Sequence, residues 1–407
     1  MTHNHHQLHA PTVLGTKQTA QRSLWQRIPK TRGSPGQRGG WLLAGFLLGG
    51  LAFVSPIRGA ELEPVGGLSP WDVSYGLKLG AGYKDNLLLD NVASEQSAFV
   101  RAGLEASVVR LPFDGTQAVL LFSGEHTRFG DGQAVDQESL FIIVAQIKKN
   151  LGEEWLAGIT SQYLYQDEVF DASTTETNRT TLRAKGHSLR VRPSLRRNLA
   201  RSFWLEAEFS LERDFLSEPL DDFWVAGAKA TLGRDYGQRS NVSLSYDSSR
   251  RAYDRRLALD AGGVAMAGRG LEFQQHEVEL EDRHYWDAAR RWRTATRLGF
   301  SSNRDNGGGF FDYRRFYCSE QLRFAKGPWE THAQARFSFY DYSTQTVSPA
   351  DPSTRRKGVL QLELRSAWEF ARHWKFYGSF EHERSLSNLS LDEYRVNTIS
   401  TGVEWEF

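Results

Sequence analysis

Alternation of apolar and polar residues with a period of two continues from residue 73 almost to the end of this chain. In one stretch, Leu360, Leu362 and Leu364 alternate with Gln361 and Glu363. A helix would repeat its apolar residues about every 3.6 positions, whereas a strand places successive side chains on opposite faces. The pattern therefore predicts an all-β chain in which each strand has one apolar and one charged face.

About sixteen such runs can be counted. They lie at 73–83, 98–110, 116–128, 138–149, 155–166, 180–196, 203–215, 223–232, 239–249, 271–286, 292–301, 311–324, 329–341, 358–370, 374–384 and 394–407. The connections between them alternate between short and long, and the short ones lie at 111–115, 150–154, 197–202, 233–238, 287–291, 325–328 and 371–373. Sixteen antiparallel strands with both termini on one side need seven connections on that side, and seven short ones are present.

Tryptophan positions separate the two architectures that such strands can build, a soluble sandwich and a membrane barrel. Five tryptophans lie within two residues of a short connection, at the start of the following strand: Trp155, Trp204, Trp292, Trp329 and Trp374. Trp286, Trp368 and Trp405 lie just before such a connection or the C-terminus. Aromatic rings collect at membrane interfaces, so these residues predict a girdle at one end of a barrel. We expect the opposite ring to contain Tyr83, Phe129, Tyr165, Phe215, Phe223, Trp224, Phe300, Phe310, Tyr340 and Tyr394.

A closed antiparallel transmembrane β-barrel with short turns at one end and long loops at the other is typical of the bacterial outer membrane. The last strand resembles the terminal signal of Gram-negative outer-membrane barrels, with Val403, Trp405 and the aromatic C-terminal residue Phe407 at alternate positions. That resemblance implies recognition by the barrel-assembly machinery. The segment GYKDN at 82–86 is similar to the GYxDN element of porin-like envelope barrels, some of which are linked to polysaccharide export.

The N-terminal region predicts export. The apolar run at 41–54 follows Lys30, Arg32 and Arg38 and precedes small residues near Ala60, which indicates a signal peptide over 1–60. A single membrane anchor is the alternative. Residues 61–72 would form a short periplasmic lead and 73–407 the barrel. The mean hydropathy of −0.51 excludes a bundle of membrane helices, each of which needs about 20 consecutive apolar residues.

Cleavage of that signal peptide would change the charge and its implications. Residues 1–60 contain seven of the 50 basic residues and none of the 49 acidic ones, so the remaining chain would carry a net charge of −6. Nucleic-acid binding then lacks its electrostatic basis. The lone Cys318 permits no internal disulfide.

Barrels of about sixteen strands enclose water, so their inward faces predict a channel lining. If the apolar faces contact lipid, charged columns line the lumen: Arg190, Arg192, Glu206, Glu208, Glu277, Glu279, Arg293, Arg297, Glu363 and Arg365. Glu281 belongs with them. A bulge near residues 186–187 would also turn Arg183 and Lys185 inward. Such columns either pair across strands and stiffen the wall, or create a transverse field that favours polar solutes and sugars.

The connection at about 248–270 is the longest predicted one, and it combines arginines with apolar residues. One interpretation is that it folds into the mouth and narrows it, with Arg250, Arg251, Arg255 and Arg256 at the constriction. The other is that it merely extends two strands beyond the membrane.

The functional prediction is an outer-membrane channel that passes small polar solutes or sugars through a water-filled, mixed-charge lumen. The alternative is a structural, assembly or polysaccharide-export barrel of an envelope complex. No mature histidine has serine two residues on, as the outer-membrane phospholipases require, and no metal-ligand spacing is present, so an enzyme, a metal and a cofactor are not expected. The expected partners are outer-membrane lipids and lipopolysaccharide, the assembly machinery, and a second copy or an envelope complex.

Overall fold

The computed structural model describes residues 71–91, 94–110, 114–175, 181–199, 202–237, 239–348 and 350–407. The predicted signal peptide and all but the last two residues of the predicted lead lie outside these ranges. No helix in the described part of the chain is long and apolar enough to cross a membrane.

Sixteen strands form one closed sheet. They are β1 (Trp71–Lys84), β2 (Ser97–Arg110), β3 (Thr116–Phe129), β4 (Gln137–Leu151), β5 (Trp155–Asp171), β6 (Thr181–Asn198), β7 (Phe203–Leu216), β8 (Phe223–Tyr236), β9 (Ser240–Leu259), β10 (Ala265–Tyr285), β11 (Trp292–Asp305), β12 (Tyr313–Lys326), β13 (Trp329–Thr346), β14 (Thr354–Ala371), β15 (Trp374–Ser387) and β16 (Tyr394–Glu406). Each strand pairs antiparallel with its neighbours in sequence, and β1 pairs with β16. The predicted fold class and strand number are confirmed.

The seven predicted short connections lie together at one end of the barrel, here called the inner end. The opposite, outer end carries the other eight connections, most of which are longer. Several strands extend further toward the outer end than predicted, most of all β9 and β10, which run for 20 and 21 residues. Alternation in sequence weakens there because the side chains no longer separate lipid from water.

The two faces of the barrel have opposite chemistry. Large apolar side chains such as Leu79, Phe209 and Leu364 are exposed on the outside, at 62, 63 and 48% of their surface. Their neighbours along each strand point inward and are mostly polar or charged. This is the arrangement expected of a barrel surrounded by lipid.

The aromatic rings follow the prediction only in part. Trp155, Trp292, Trp329 and Trp374 are exposed on the outside at the inner end, as predicted. Trp204 is a correction, because it lies on the inward face of β7 opposite Gly233 and under the Arg196 guanidinium. Of the predicted outer ring, Tyr83, Phe215 and Trp224 are exposed, whereas four members are buried on inward faces: Phe129, Phe223, Tyr340 and Tyr394.

The GYKDN segment fastens the first strand to the last one. Both side-chain oxygens of Asp85 accept hydrogen bonds from Asn397, at 2.6 Å each. The Asn86 amide donates to the carbonyl oxygens of Asp90 and Arg395. A Cβ atom at Gly82 would lie 2.3 Å from the carbonyl oxygen of Ile399, so only glycine fits there. The motif therefore has a structural role at the closure of the barrel.

Candidate functional site: the lumen

The predicted lumen residues all face the inside of the barrel. On β7, β10 and β14 they alternate with exposed apolar residues, so each strand keeps one face toward the interior. The inward set contains Arg190, Arg192, Glu206, Glu208, Glu277, Glu279, Arg293, Arg297, Glu363 and Arg365. They do not form one site, because the two sides of the lumen differ.

The side formed by β6–β10, with its neighbours β11 and β12, is filled, and we call it the filled side. Arg190 donates from Nε to Glu212 at 2.8 Å, and these two side chains are only 4 and 3% exposed. Arg297 contacts Glu281 at 2.6 Å. These are the predicted basic and acidic columns, and here they pair across strands.

Further pairs continue the filled side along the barrel. Arg192 lies 3.6 Å from Glu208, and Arg315 donates to Glu277 at 2.9 Å. The Tyr317 hydroxyl donates to Glu279 at 2.7 Å. Arg315 and Tyr317 were not predicted from the sequence. They alternate with the exposed Phe316, which places both on the inward face of β12.

An elongated cavity occupies the other side of the lumen, which we call the open side. Its walls come from β1–β5 and β11–β16. Arg293, Glu363 and Arg365 are the predicted lumen residues that line it. It extends from Lys375 and Glu406 near the inner end toward the outer loops.

The ion pairs on the open side are more exposed than the Arg190–Glu212 and Arg297–Glu281 pairs of the filled side. Arg323 and Glu330 are 2.7 Å apart, but their side chains remain 32 and 35% exposed. Glu363 lies directly opposite Glu381 across β14 and β15, and its oxygen is 3.9 Å from His332. This wall therefore presents adjacent carboxylates to the cavity.

One inward patch is apolar, which the facing assignment did not predict. Val109, Val119, Leu121, Leu140, Ile142, Val144 and Leu164 form a cluster on the inner face of β2–β5. The signal is present in the sequence, since residues 119–122 and 140–145 are apolar at consecutive positions and so on both faces. Leu140 and Ile142 also line the cavity.

Arg183 and Lys185 are a second correction to the facing assignment. The ladder between β5 and β6 is continuous from Trp155 to Asp171, with no bulge near residue 186. Alternation therefore keeps both side chains on the outer surface, where Arg183 donates to Asp167 at 2.6 Å. Outward charges are accommodated there because the strand end lies at the outer end of the barrel.

The chain enters the lumen near the outer end where β5 ends and the β5–β6 connection begins. Residues 171–175, here called the crossing segment, are at most 5% exposed. Lys357 of β14 pairs with Asp171 and donates to the Ser173 hydroxyl at 2.7 Å. Arg355 donates to the Ser173 carbonyl oxygen at 2.8 Å. Since β14 lies seven strands from β5 around the ring, the segment reaches across the barrel.

The predicted constriction at the β9–β10 connection is placed differently by the structure. In that connection β9 and β10 continue as a hairpin with a turn at 260–264. Its backbone therefore follows the second interpretation, in which two strands extend beyond the membrane. Arg250 and Arg255 point outward to Glu272 and Asp221, which contradicts their predicted place at a constriction. A bulge in the β9–β10 ladder shifts the alternation between residues 252 and 257.

Arg251 and Arg256 do face inward. Arg251 is 4% exposed and lies over the rings of Phe223 and Phe273. Arg256 donates to the carbonyl oxygen of Thr175 in the crossing segment. The narrowing contacts at this end therefore come from the crossing segment and from β9. The crossing segment was missed because its polar sequence, DASTT, is also typical of a solvated loop.

Apolar side chains complete the filling of the outer end. Phe170, Leu182, Leu220, Phe223, Tyr253, Leu271, Phe273 and Phe311 belong to one buried cluster. Leu87, Leu89, Phe99, Phe129, Val169, Tyr394 and Val396 belong to another. Both clusters explain why so many aromatics predicted for the lipid interface point inward.

The fold and the lumen together define a class. A ring of sixteen antiparallel strands without an open edge, apolar outside and polar inside, is a transmembrane β-barrel of the bacterial outer membrane.

Comparisons with known proteins identify no family for this chain. No family model matches the chain, and no curated protein matches it. Among solved structures, Pseudomonas aeruginosa OccK9 (OpdG) is 9% identical with a TM-score of 0.46, covering 83% of this chain and 98% of that one. An anion-selective porin from Comamonas acidovorans is 13% identical with a TM-score of 0.41, covering 83 and 100%. A bacterial polysaccharide outer membrane secretin is 11% identical with a TM-score of 0.41, covering 82 and 97%. Similarity at this level transfers no residue role and no solute.

Proposed function

We propose that this chain is an outer-membrane channel that passes small polar solutes or sugars through a water-filled, mixed-charge lumen. The observation that carries the proposal is the cavity of the open side, whose lining mixes arginine, lysine and glutamate along the barrel. Charged linings with partners of both signs hold water and accept polar solutes, whereas a strongly anion-selective pore needs an uncompensated basic lining.

The outer end supports passage of small solutes over export of polymers. Lys357 and Arg355 hold the crossing segment at Asp171 and Ser173. The segment therefore narrows the lumen at the outer end. An export barrel for a polysaccharide would need a wider opening, so the alternative of an export or assembly barrel is less favoured.

Conductance in planar bilayers tests the proposal directly. We expect stable open steps from the purified protein, and swelling of protein-containing liposomes in small sugars that declines as the sugars become larger. The absence of steps together with the absence of swelling would contradict a channel, and a partner that co-purifies with such a silent barrel would favour the assembly or export alternative.

The Lys357→Gln variant examines the crossing segment. Loss of the cation leaves the Asp171 carboxylate without its main partner, so we expect the segment to detach and the conductance to rise. Lys375→Gln is the matched control, because Lys375 pairs with Glu406 at the inner end, at the opposite end of the barrel from the crossing segment. Equal conductance of both variants and the wild type would show that the segment does not limit flow.

The predicted assembly signal also remains a proposal. Val403 and Trp405 lie on the outward face of the final strand, and Phe407, which directly follows that strand, is 61% exposed. Side chains on that face can be reached by the barrel-assembly machinery before lipid surrounds them. A homo-oligomer or an envelope complex stays a prediction.

A further inference from the structure

Two arginines oppose each other on the lipid-facing surface of β15 and β16. Arg384 and Arg395 are direct cross-strand partners, and both are exposed. They alternate with the buried inward residues Ser385 and Tyr394, so both guanidinium groups project outward. Like charges placed directly opposite each other destabilise a sheet, which makes this pair unusual.

Neither guanidinium group has an acidic partner within ion-pair distance in the described part of the chain. Arg356 of β14, which lies on the same outer surface, does have an acidic partner, because it is 3.2 Å from Asp341. Asp85, which approaches β16 at Asn397, accepts hydrogen bonds from that asparagine with both oxygens. The residues that the structure describes therefore leave the positive pair uncompensated.

The height of the pair on the barrel indicates what compensates it. Trp374 and Trp405 are cross-strand partners at the inner end, and Arg384 and Arg395 lie ten residues further along the same two strands. Ten residues span roughly 33 Å along a strand, and a tilt of about 40° reduces this to about 25 Å along the membrane normal. That is the height of the apolar band, so the arginines lie at the headgroup level of the outer leaflet.

We propose that Arg384 and Arg395 form a clamp for a phosphate group of a phosphorylated lipid of the outer leaflet, of the lipid A type. A phosphate placed between two guanidinium groups accepts charge-assisted hydrogen bonds from both and removes their repulsion. Exposed apolar side chains on the same wall and nearer the inner end, Phe380 and Ile399, offer a surface for the acyl chains. The clamp is independent of the channel function.

Native mass spectrometry of the full barrel in detergent, titrated with bis-phosphorylated lipid A, tests the clamp. The Arg384→Gln/Arg395→Gln variant should bind at least tenfold more weakly than the wild type. The control Arg197→Gln/Arg356→Gln removes the same charge from two outward arginines that have acidic partners, Glu154 and Asp341, and should bind like the wild type. Dephosphorylated lipid A should bind equally weakly to all three proteins. Equal affinity of the clamp variant and the wild type for lipid A, or binding that does not depend on the phosphates, would overturn the proposal.

Thermal unfolding supplies a second readout that also reveals a folding defect. In lipid-free detergent the clamp variant should unfold at the same temperature as the wild type or higher, because it has lost a repulsion. Added lipid A should raise the unfolding temperature of the wild type and of the control, and should leave that of the clamp variant almost unchanged. A wild type that gains no more than the clamp variant would exclude the clamp even if some lipid binds.

Discussion

The filled and open sides of the lumen are built from the same residue types and differ in how those residues are satisfied. On the filled side, Arg190 and Glu212 are almost completely buried and bind each other. On the open side, Arg323 and Glu330 form a pair of similar length, yet a third of each side chain remains exposed. Charge in a barrel interior can therefore serve as packing on one wall and as lining on the other, and burial decides which.

The largest effect should come from breaking a pair on the filled side. Arg190→Gln leaves Glu212 buried without its cation, and breaking a buried pair in this way costs about 3–5 kcal/mol. Urea-induced unfolding of the protein in lipid vesicles measures this cost. Arg323→Gln on the open side is the control and should cost about 0–1 kcal/mol, because water replaces the lost partner. Similar costs would show that the two sides do not differ in solvation.

The facing of the strands can be tested on the open side at two adjacent positions. Leu364→Arg places a charge against lipid at mid-strand and should cost about 2–4 kcal/mol and impair assembly. Glu363→Arg, one residue away, faces the cavity and should still assemble. Heat-dependent mobility in gel electrophoresis reports the folded fraction of each variant. Equal damage would mean that the inward and outward faces are wrongly assigned.

The smallest effect is expected on ion selectivity. Glu363 lies beside Glu381 on the cavity wall, so Glu363→Gln should lower the ratio of cation to anion permeability by about twofold. Reversal potentials across a salt gradient give this ratio. Glu208→Gln removes one carboxylate from the filled side, where Glu208 lies beside Arg192, and should leave the ratio nearly unchanged. A larger shift from Glu208→Gln than from Glu363→Gln would reverse the assignment of the two sides.

Strand number, order and inner turns could be predicted from the sequence because alternation and short connections are local signals. The inward face of charged strands also followed, as for Glu206 and Glu277. Trp204 was misplaced although it alternates in phase with Glu206, because a general preference of tryptophan for the interface was given more weight than the local period. The period was the better guide, since it reflects the geometry of the strand itself.

The filling of the outer end could not be predicted from the same signals. Phe223 and Tyr394 are aromatic residues at the ends of strands. An aromatic residue in such a position suits a lipid interface and a packed interior equally well. The contact of Lys357 with Asp171 joins residues 186 positions apart, at the point where a polar connection leaves β5. No periodicity records such a contact, because it depends on where a connection goes after its strand ends.

The pairing of β1 with β16 has a consequence for the order in which the barrel folds. Hairpins from β2 to β15 can form as soon as their two strands exist, but the ring can be sealed only when Asn397 is available to meet Asp85. Until then both terminal strands have an unsatisfied edge, and such an edge can pair with the edge of another chain.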